Sequence, residues 1–494
     1  MKKTVLLALT LALCLAAMGA NALTMTGLES DTVGRQWENH LFFSRMQALT
    51  GVEIQAHGVS DKAEYAALID GMLTGGAAHD VLFKANLSRG QEIALADSGA
   101  IIDLAPHIAQ HMPNLSALLE AHPQWREIIS LEDGRIVSLP LLNKGERQAI
   151  MWINRAWLEK LGLAMPRTLE ELTAALTAFA AGDPNANGRK DENALDLTGV
   201  YEMRWLLPYF GVVADDYNLA RDAQGRIVFA PELPGYRSFI EQLKAWREEG
   251  VLRSDAFTTT HSVLALNTNT GDDETVRSGM FLALTPYPQV HMDAVMDYEP
   301  MLLAGPDGAV RWRDLLGEVW TGCFAVTAKC PDVGAALRWA DALYAEEGAL
   351  LAYAGAEDED YRFDRSGAWS FVLDGGRDIN EIRADAVIYT GAPTPGLYPA
   401  GFIARVDSEM DRHVFAASDR VRAVSEQVTP AFALSRAQQA RADEIAAQLG
   451  ALVDHGIARF VTGETPLDDQ TYAAWLAELE AAGSGELAAL YQGK

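Results

Sequence analysis

Between residues 183 and 192 the chain reads Asp-Pro-Asn-Ala-Asn-Gly-Arg-Lys-Asp-Glu, with oxygen-bearing side chains at alternate places. Asp183, Asn185 and Asn187 stand at loop positions 1, 3 and 5, Gly188 at 6, and the carbonyl of Arg189 at 7. A hard cation such as Ca2+ takes roughly 6–8 oxygens, and EF-hand-type loops supply them from these positions, with the glycine making the sharp turn. The bidentate glutamate usual at position 12 is missing, because Ala194 is there. The spacing predicts one structural calcium, while Asp, Pro, Asn and Gly are also what a metal-free surface turn is made of.

Other groups are less suited to chemistry. His107 and His111 lie four apart, a helical spacing that could offer two imidazoles to zinc, but no third ligand stands nearby. They read as a solvated helix face. The run Glu357-Asp358-Glu359-Asp360 invites comparison with a glycosidase acid pair. Such pairs face each other across the scissile bond, which neighbours in one loop do not do. We find no nucleophile elbow, phosphate loop or HExxH motif. The formal net charge of −28 argues against nucleic-acid binding, which calls for a basic face.

The elements that must position these residues follow an α/β grammar. LTMTGLES reads as a strand, Trp37, Leu41, Phe42, Met46 and Leu49 recur at helical spacing, Gly51 suits a C-terminal cap, and VEIQ alternates as a strand. Tyr65, Leu68, Ile69, Met72 and Leu73 mark another helix before the strand at 80–85. The pattern restarts with a strand at 149–153, a capping box from Thr168 to Glu171, and a helix carrying Phe239, Leu243 and Trp246. Trp152, Trp157, Trp246 and Trp339 fall on regular positions and are expected in the core. The last third is mostly helical apart from a strand at 320–328. Extended backbone between Cys323 and Cys330 would hold them beyond disulfide reach, so a buried Cys323 and a loop Cys330 are expected.

The N-terminus reads as an export leader, with Lys2 and Lys3, an apolar stretch at 5–17 and Ala20-Asn21-Ala22 before the cut. The mature chain is expected to start near Leu23, outside the cytoplasm, whether secreted or periplasmic. Cys14 would suit a lipid anchor, but Leu13 before it is not the small residue a lipobox wants.

Several stretches together resemble bacterial extracellular solute-binding proteins of the carbohydrate class, particularly the long oligosaccharide-binding members that include alginate-binding proteins. They include LTGVEI (49–54), AHDVLF (78–83), IIDLAPHIAQHMPNL (101–115), EDGRIVSLP (132–140), MWINRAWLEKLGL (151–163), DPNANGRKDE (183–192), KCPDVGAALRWADALYAEEG (329–348) and YAGAEDEDY (353–361), with a last stretch at 458–492. Two departures stand out: no cysteine opens the mature chain, and Asp358 follows Glu357 where the family usually has glycine.

The resemblance implies a hinged, two-lobed periplasmic-binding-protein fold of the class II type with a helical C-terminal region. Lobe 1 is expected from 23–147 plus 320–355, and lobe 2 from 148–319 plus 356–494. It implies a monomeric, non-catalytic receptor that closes around an oligosaccharide in the cleft between lobes and presents it to the permease subunits of an ABC importer. A secreted carbohydrate hydrolase or lyase is the alternative. Comparison with maltose-binding relatives points to Trp37, Lys84, Asn86 and Arg147 in the first lobe as sugar contacts. In the second it points to Tyr201, Glu202, Arg204, Trp205 and Tyr287. Trp320 opens a strand at the expected hinge. Convergence of Lys84, Arg147 and Arg204 would favour a uronic acid. In the resembled alginate-binding proteins the calcium loop closes with an Asp-Glu pair, here Asp191 and Glu192, which completes the expected ligand set.

Overall fold

Threonine and apolar residues in Leu23–Leu28 favour extended backbone, and nearly all of them are buried, as expected of a parallel strand covered on both faces. In the computed structural model, which describes residues 22–492 other than 32, 77–78, 144–147, 261–263, 265–274, 288, 315–316 and 430–433, this strand lies within a six-stranded sheet. Ile54–Val59 and Val81–Phe83 flank it in parallel. Val319–Val326 runs antiparallel between Val81–Phe83 and Leu139–Leu142, and Gly396–Leu397 completes the far edge parallel to Leu139–Leu142.

The helices of this unit carry the expected stops and starts. Leu41–Thr50 ends on Gly51 with φ of 71°, a left-handed cap that glycine adopts at no steric cost. Asp61 accepts from the N–H groups of Ala63 and Glu64 to start Lys62–Leu73. Against the sheet, Trp37, Phe42, Phe43, Phe83, Phe324 and Trp339 form one aromatic nest. Cys323 is buried in its strand, Cys330 is half-buried beyond it, and both are free thiols.

A second unit is built on a four-stranded sheet in the order Tyr298–Pro300, Ile150–Asn154, Ser278–Ala283, Asn193–Asp196, the last pair parallel and the others antiparallel. Leu169–Ala181 begins at Thr168, whose hydroxyl accepts from Glu171 N–H; the Glu171 carboxylate takes the N–H of Arg167 rather than that of Thr168, so only half of the expected capping box forms. Arg436–Thr462 packs on Asp469–Ala481 at Gly456, where an added Cβ would lie 2.2 Å from the Trp475 indole nitrogen. Any side chain there would force these helices apart. Trp152, Trp157, Trp246 and Trp339 are buried, as expected of core positions.

The chain divides into 1–142 with 319–399 and 143–318 with 400–494. The first two crossings fall within a few residues of the sequence expectation. The third does not, because 356–399 belongs to the first unit. Its strand Gly396–Leu397 joins the first sheet, and Arg45 of the first unit pairs with both Glu359 and Asp360. Asp358 takes a left-handed φ of 66°, a region that aspartate tolerates better than most residues.

Candidate ligand-binding site

Parallel strands that end together bring together whatever follows them. Glu29 follows Leu23–Leu28 and Lys84 follows Val81–Phe83, which places the Lys84 ammonium 3.6 Å from the Glu29 carboxylate. Arg35 donates to both oxygens of Glu29 at 2.9 and 3.0 Å and to Asp31 at 3.2 Å, and the Trp37 indole N–H donates to Glu29 at 2.7 Å. Arg383 reaches Asp31 at 3.0 Å, and Thr390 donates to the same carboxylate. The ion-paired side chains of Glu29, Asp31, Arg35 and Lys84 are at most 3% exposed.

Burial works to raise Glu29 and Asp31, but their cations and donors outweigh it. Lys84 and Arg35 hold Glu29 below its ordinary range, and Thr390 and Arg383 bring Asp31 down to about 2. Burial pushes the Lys84 ammonium down to about 7 against the pull of Glu29.

This network corrects two expected sugar contacts. Lys84 is fully buried, and its ammonium also donates to the carbonyls of Ile388 at 2.9 Å and Thr390 at 2.7 Å. Trp37 is 1% exposed, and its ring lies where a Cβ on Gly58 would be, 2.9 Å away. Neither side chain has a surface left for a ligand. Sequence reasoning missed Glu29, Asp31, Arg35, Arg383 and Thr390. The available signal was a cluster of charges directly after a strand of threonine and apolar residues without a single charge, at a place where a solvated loop needs no such density.

Asn86 and Trp320 fare differently. Asn86 is exposed with φ of 48°, and the N–H groups on either side of it, those of Ala85 and Leu87, donate to Cys323 and Gly322 carbonyls at 2.9 and 3.0 Å. Only glycine fits at 322, where a Cβ would lie 2.1 Å from the Leu87 carbonyl oxygen and φ is +71°. Asn86 and half-buried Trp320 are thereby carried on adjoining backbones at the carboxyl edge of the parallel strands, where α/β proteins place ligands. Arg147 lies outside the described residues.

In the second unit one short stretch splits in two. Gly199–Met203 leads into a tighter helical turn, Arg204–Phe210. Tyr201 is 44% exposed with the Arg204 guanidinium 5.8 Å from its ring centre. Glu202 and Trp205 turn inward. Glu202 is buried and accepts the N–H of Thr198, while Trp205, 1% exposed, has Arg313 stacked at 4.7 Å. The indole of Trp205 is therefore a core group rather than a sugar platform, and the Glu202 carboxylate serves its own helix start. Tyr287 is half-buried against the core.

The 183–192 loop has the turn its sequence predicts. Asp183 accepts from Asn187 and Gly188 N–H groups at 3.1 and 3.0 Å, and Asn187 accepts from Arg189 N–H at 2.8 Å. Ala186 and Gly188 take left-handed φ values of 61° and 73°. The amides of Asn185 and Asn187 both donate to Asp191, at 3.2 and 3.1 Å, which brings five of the six predicted ligand residues into one hydrogen-bonded loop. Both carboxylate oxygens of Glu192 are buried with no hydrogen-bond partner. Desolvation, with Asp183 and Asp191 nearby, pushes that carboxyl up. An unpartnered carboxylate beside two others is what a divalent cation neutralises, so the donor set fits calcium. Among the described residues, no three His, Cys, Asp or Glu side chains form a metal cluster by themselves. The loop's set draws on asparagine oxygens and the Arg189 carbonyl as well.

No protein-family model matches the chain. The fructooligosaccharide ABC transporter substrate-binding protein FusA of Streptococcus pneumoniae is 30% identical over 229 residues, 44% of this chain and 42% of the relative, so the match spans less than half of that protein's length. The solved structure of FusA in complex with kestose has a TM-score of 0.78 at 20% identity, over 96% of this chain and 98% of that one. An EF-hand mutant of FusA in complex with fructo-nystose gives 0.77 at 20% identity over the same shares. An HMO-binding, ABC-transporter-associated solute-binding protein of Bifidobacterium longum infantis gives 0.82 at 19% identity, over 96% and 98%. The chain has the fold of ABC-transporter solute-binding proteins, as the resemblance in its sequence implied. Among the described residues, no helix is long and apolar enough to cross a membrane.

Proposed function

We propose that the chain is the substrate-binding component of an ABC importer and captures a neutral oligosaccharide outside the cytoplasm. The observation that carries this is the 229-residue kinship with a fructooligosaccharide-binding protein, inside a fold shared with sugar-binding receptors over 96% of the chain. The permease subunits are then its partners, and it works as a monomer that binds without catalysis. Light scattering of the purified protein checks the monomer, and the mass of the exported chain checks cleavage near Leu23.

The neutral choice follows from where the cations point. Lys84 is spent on Glu29 and two backbone carbonyls, and Arg204 donates to the Asn218 side chain. Two of the three basic residues whose convergence would have favoured a uronic acid are thus engaged within the protein. A thermal-shift screen against kestose, nystose, milk oligosaccharides and alginate oligomers tests this. We expect a neutral sugar to raise Tm. Stabilisation by alginate oligomers alone overturns the neutral choice, and no response to any sugar overturns the receptor itself. Release of reducing ends or unsaturated products by the pure protein would establish a carbohydrate-active enzyme instead.

One structural Ca2+ belongs to the same reading, held by Asp183, Asn185, Asn187, the Arg189 carbonyl, Asp191 and Glu192. The buried, unpartnered Glu192 carboxylate supports it, as does the occurrence of an EF-hand in a protein of the same fold. When bound, the ion would offset the mutual repulsion of three carboxylates and so lock the loop.

A further inference from the structure

Much of the buried charge in the first unit converges on three residues. Lys84 donates to the carbonyls of Ile388 and Thr390, which bracket Tyr389 in the chain, at 2.9 and 2.7 Å. Arg35 holds the Thr390 hydroxyl at 2.8 Å, and that hydroxyl donates to Asp31. The N–H groups of Ile388 and Tyr389 both donate to the Ala352 carbonyl, at 3.1 and 3.0 Å. Backbone fixed from both sides in this way leaves Tyr389 little freedom, yet its side chain remains half-exposed. Buried ion networks are costly to assemble, and the position they fix here is a loop aromatic rather than a core one.

The surroundings of Tyr389 are aromatic and incompletely satisfied. Its ring lies on that of Tyr353, with centres 3.4 Å apart and planes 32° apart, and Tyr398 meets Tyr353 edge-on at 4.7 Å. Tyr398 N–H donates to the carbonyl of Leu142, so the trio sits where the strand Leu139–Leu142 ends, on the same edge of the sheet as Lys84. Tyr353 is 8% exposed, and its hydroxyl is buried with no hydrogen-bond partner. Phenylalanine would fill the same space without a polar atom to desolvate. Packing therefore does not account for the group.

We infer that Tyr389, backed by Tyr353 and Tyr398, is a sugar-stacking platform of the first unit, taking the C–H face of one neutral ring of the oligosaccharide. The inference rests on the proposed receptor function and supplies that receptor with an aromatic surface in place of Trp37 and Trp205. The negative face of an aromatic ring attracts the weakly positive C–H groups of a sugar, and a ring already fixed in place loses little freedom on binding.

The test is calorimetric titration of the full chain with kestose, nystose and maltotriose, on wild type, Tyr389→Phe and Tyr389→Ala, with melting curves run without sugar. Tyr389→Ala should weaken binding by about tenfold or more while Tyr389→Phe stays within about threefold, and neither should lower Tm by more than a few degrees. Equal affinity of wild type and Tyr389→Ala overturns the platform while leaving the receptor standing. No binding of any oligosaccharide by wild type overturns the receptor reading underneath. Should Tyr389→Ala fail to fold, Tyr389→Trp decides: its indole emission must shift to the blue when sugar is added, and an unchanged spectrum under saturating sugar overturns the platform.

Discussion

Glu29 and Asp31 in the first unit, and Asp196 and Glu192 in the second, are carboxylates whose oxygens are withdrawn from water, and the two units treat them in opposite ways. In the first unit every one of them meets a cation of the same chain, so Glu29 and Asp31 sit below their ordinary range. In the second, Asp196 accepts from Ser278 on one oxygen, while Arg253 stays 3.6 Å from the other, and burial pushes the carboxyl up to about 7. For Glu192, desolvation with Asp183 and Asp191 nearby outweighs the backbone donors and pushes the carboxyl up. Burial acts in the same direction on all four. What differs is whether partners outweigh it. The Glu29–Asp31 cluster is built to stay ionised, whereas Asp196 and Glu192 are carboxylates that a proton or a divalent cation would relieve.

The largest effect should come from breaking the first network. Among the described residues, Glu29→Leu leaves buried Lys84 and Arg35 with Asp31 as their close carboxylate, and should cost about 3–5 kcal/mol in urea unfolding. A loss below about 1 kcal/mol would mean that the pairing seen around Glu29 does not set the stability of this unit.

Next comes calcium at the 183–192 loop, where Asp191 is also paired with Arg277 at 3.0 Å. Binding the folded state alone stabilises it by roughly 2.7 kcal/mol at a hundredfold excess over Kd. Tm should rise in calcium relative to EGTA, and Asp183→Ala should abolish the rise. Identical melts in both conditions, with no calcium found by elemental analysis, would remove the metal.

Asp196→Asn separates the units by pH. Because the folded carboxyl is raised above its unfolded value, its favourable contribution is complete below about pH 4 and is lost as pH rises through about 7. The variant should therefore gain on wild type across that window, by roughly 2 kcal/mol at pH 8. Parallel stability profiles from pH 4 to 8 would refute the account of Asp196.

The smallest effect tests the opposite sign. Asp31 is held down, so its contribution is present above about pH 4 and is lost as pH falls through about 2. Thr390→Val removes one donor to it and should cost about 1 kcal/mol at pH 6, a difference that fades toward pH 2. A constant difference across that range would show that the loss is packing and not the Asp31 hydrogen bond.

Local sequence determined what depends on local physics. The strands Leu23–Leu28 and Val81–Phe83 and the helices Leu41–Thr50 and Lys62–Leu73 fell where periodicity put them, Gly51 ended its helix, the four regularly placed tryptophans went to the core, and 183–192 formed the turn that alternating Asp and Asn with glycine demand, whereas the hairpin of Tyr361–Phe363 and Trp369–Phe371 lies in a stretch expected to be helical. Resemblance supplied the fold. What the sequence could not decide was the fate of residues just after strands. A lysine or tryptophan there is equally placed for a ligand or for a partner, and besides Glu29 and Asp31 the groups that engage Lys84 and Arg35 stand more than 300 positions away, at Ile388, Thr390 and Arg383. The same distance hid the allegiance of 356–399, which reads as helical tail until its short strand is seen hydrogen-bonded in the first sheet. Turn chemistry, caps and periodicity act over a few residues of chain. Ion pairing and burial act across space, and only the tertiary structure says which side chains share it.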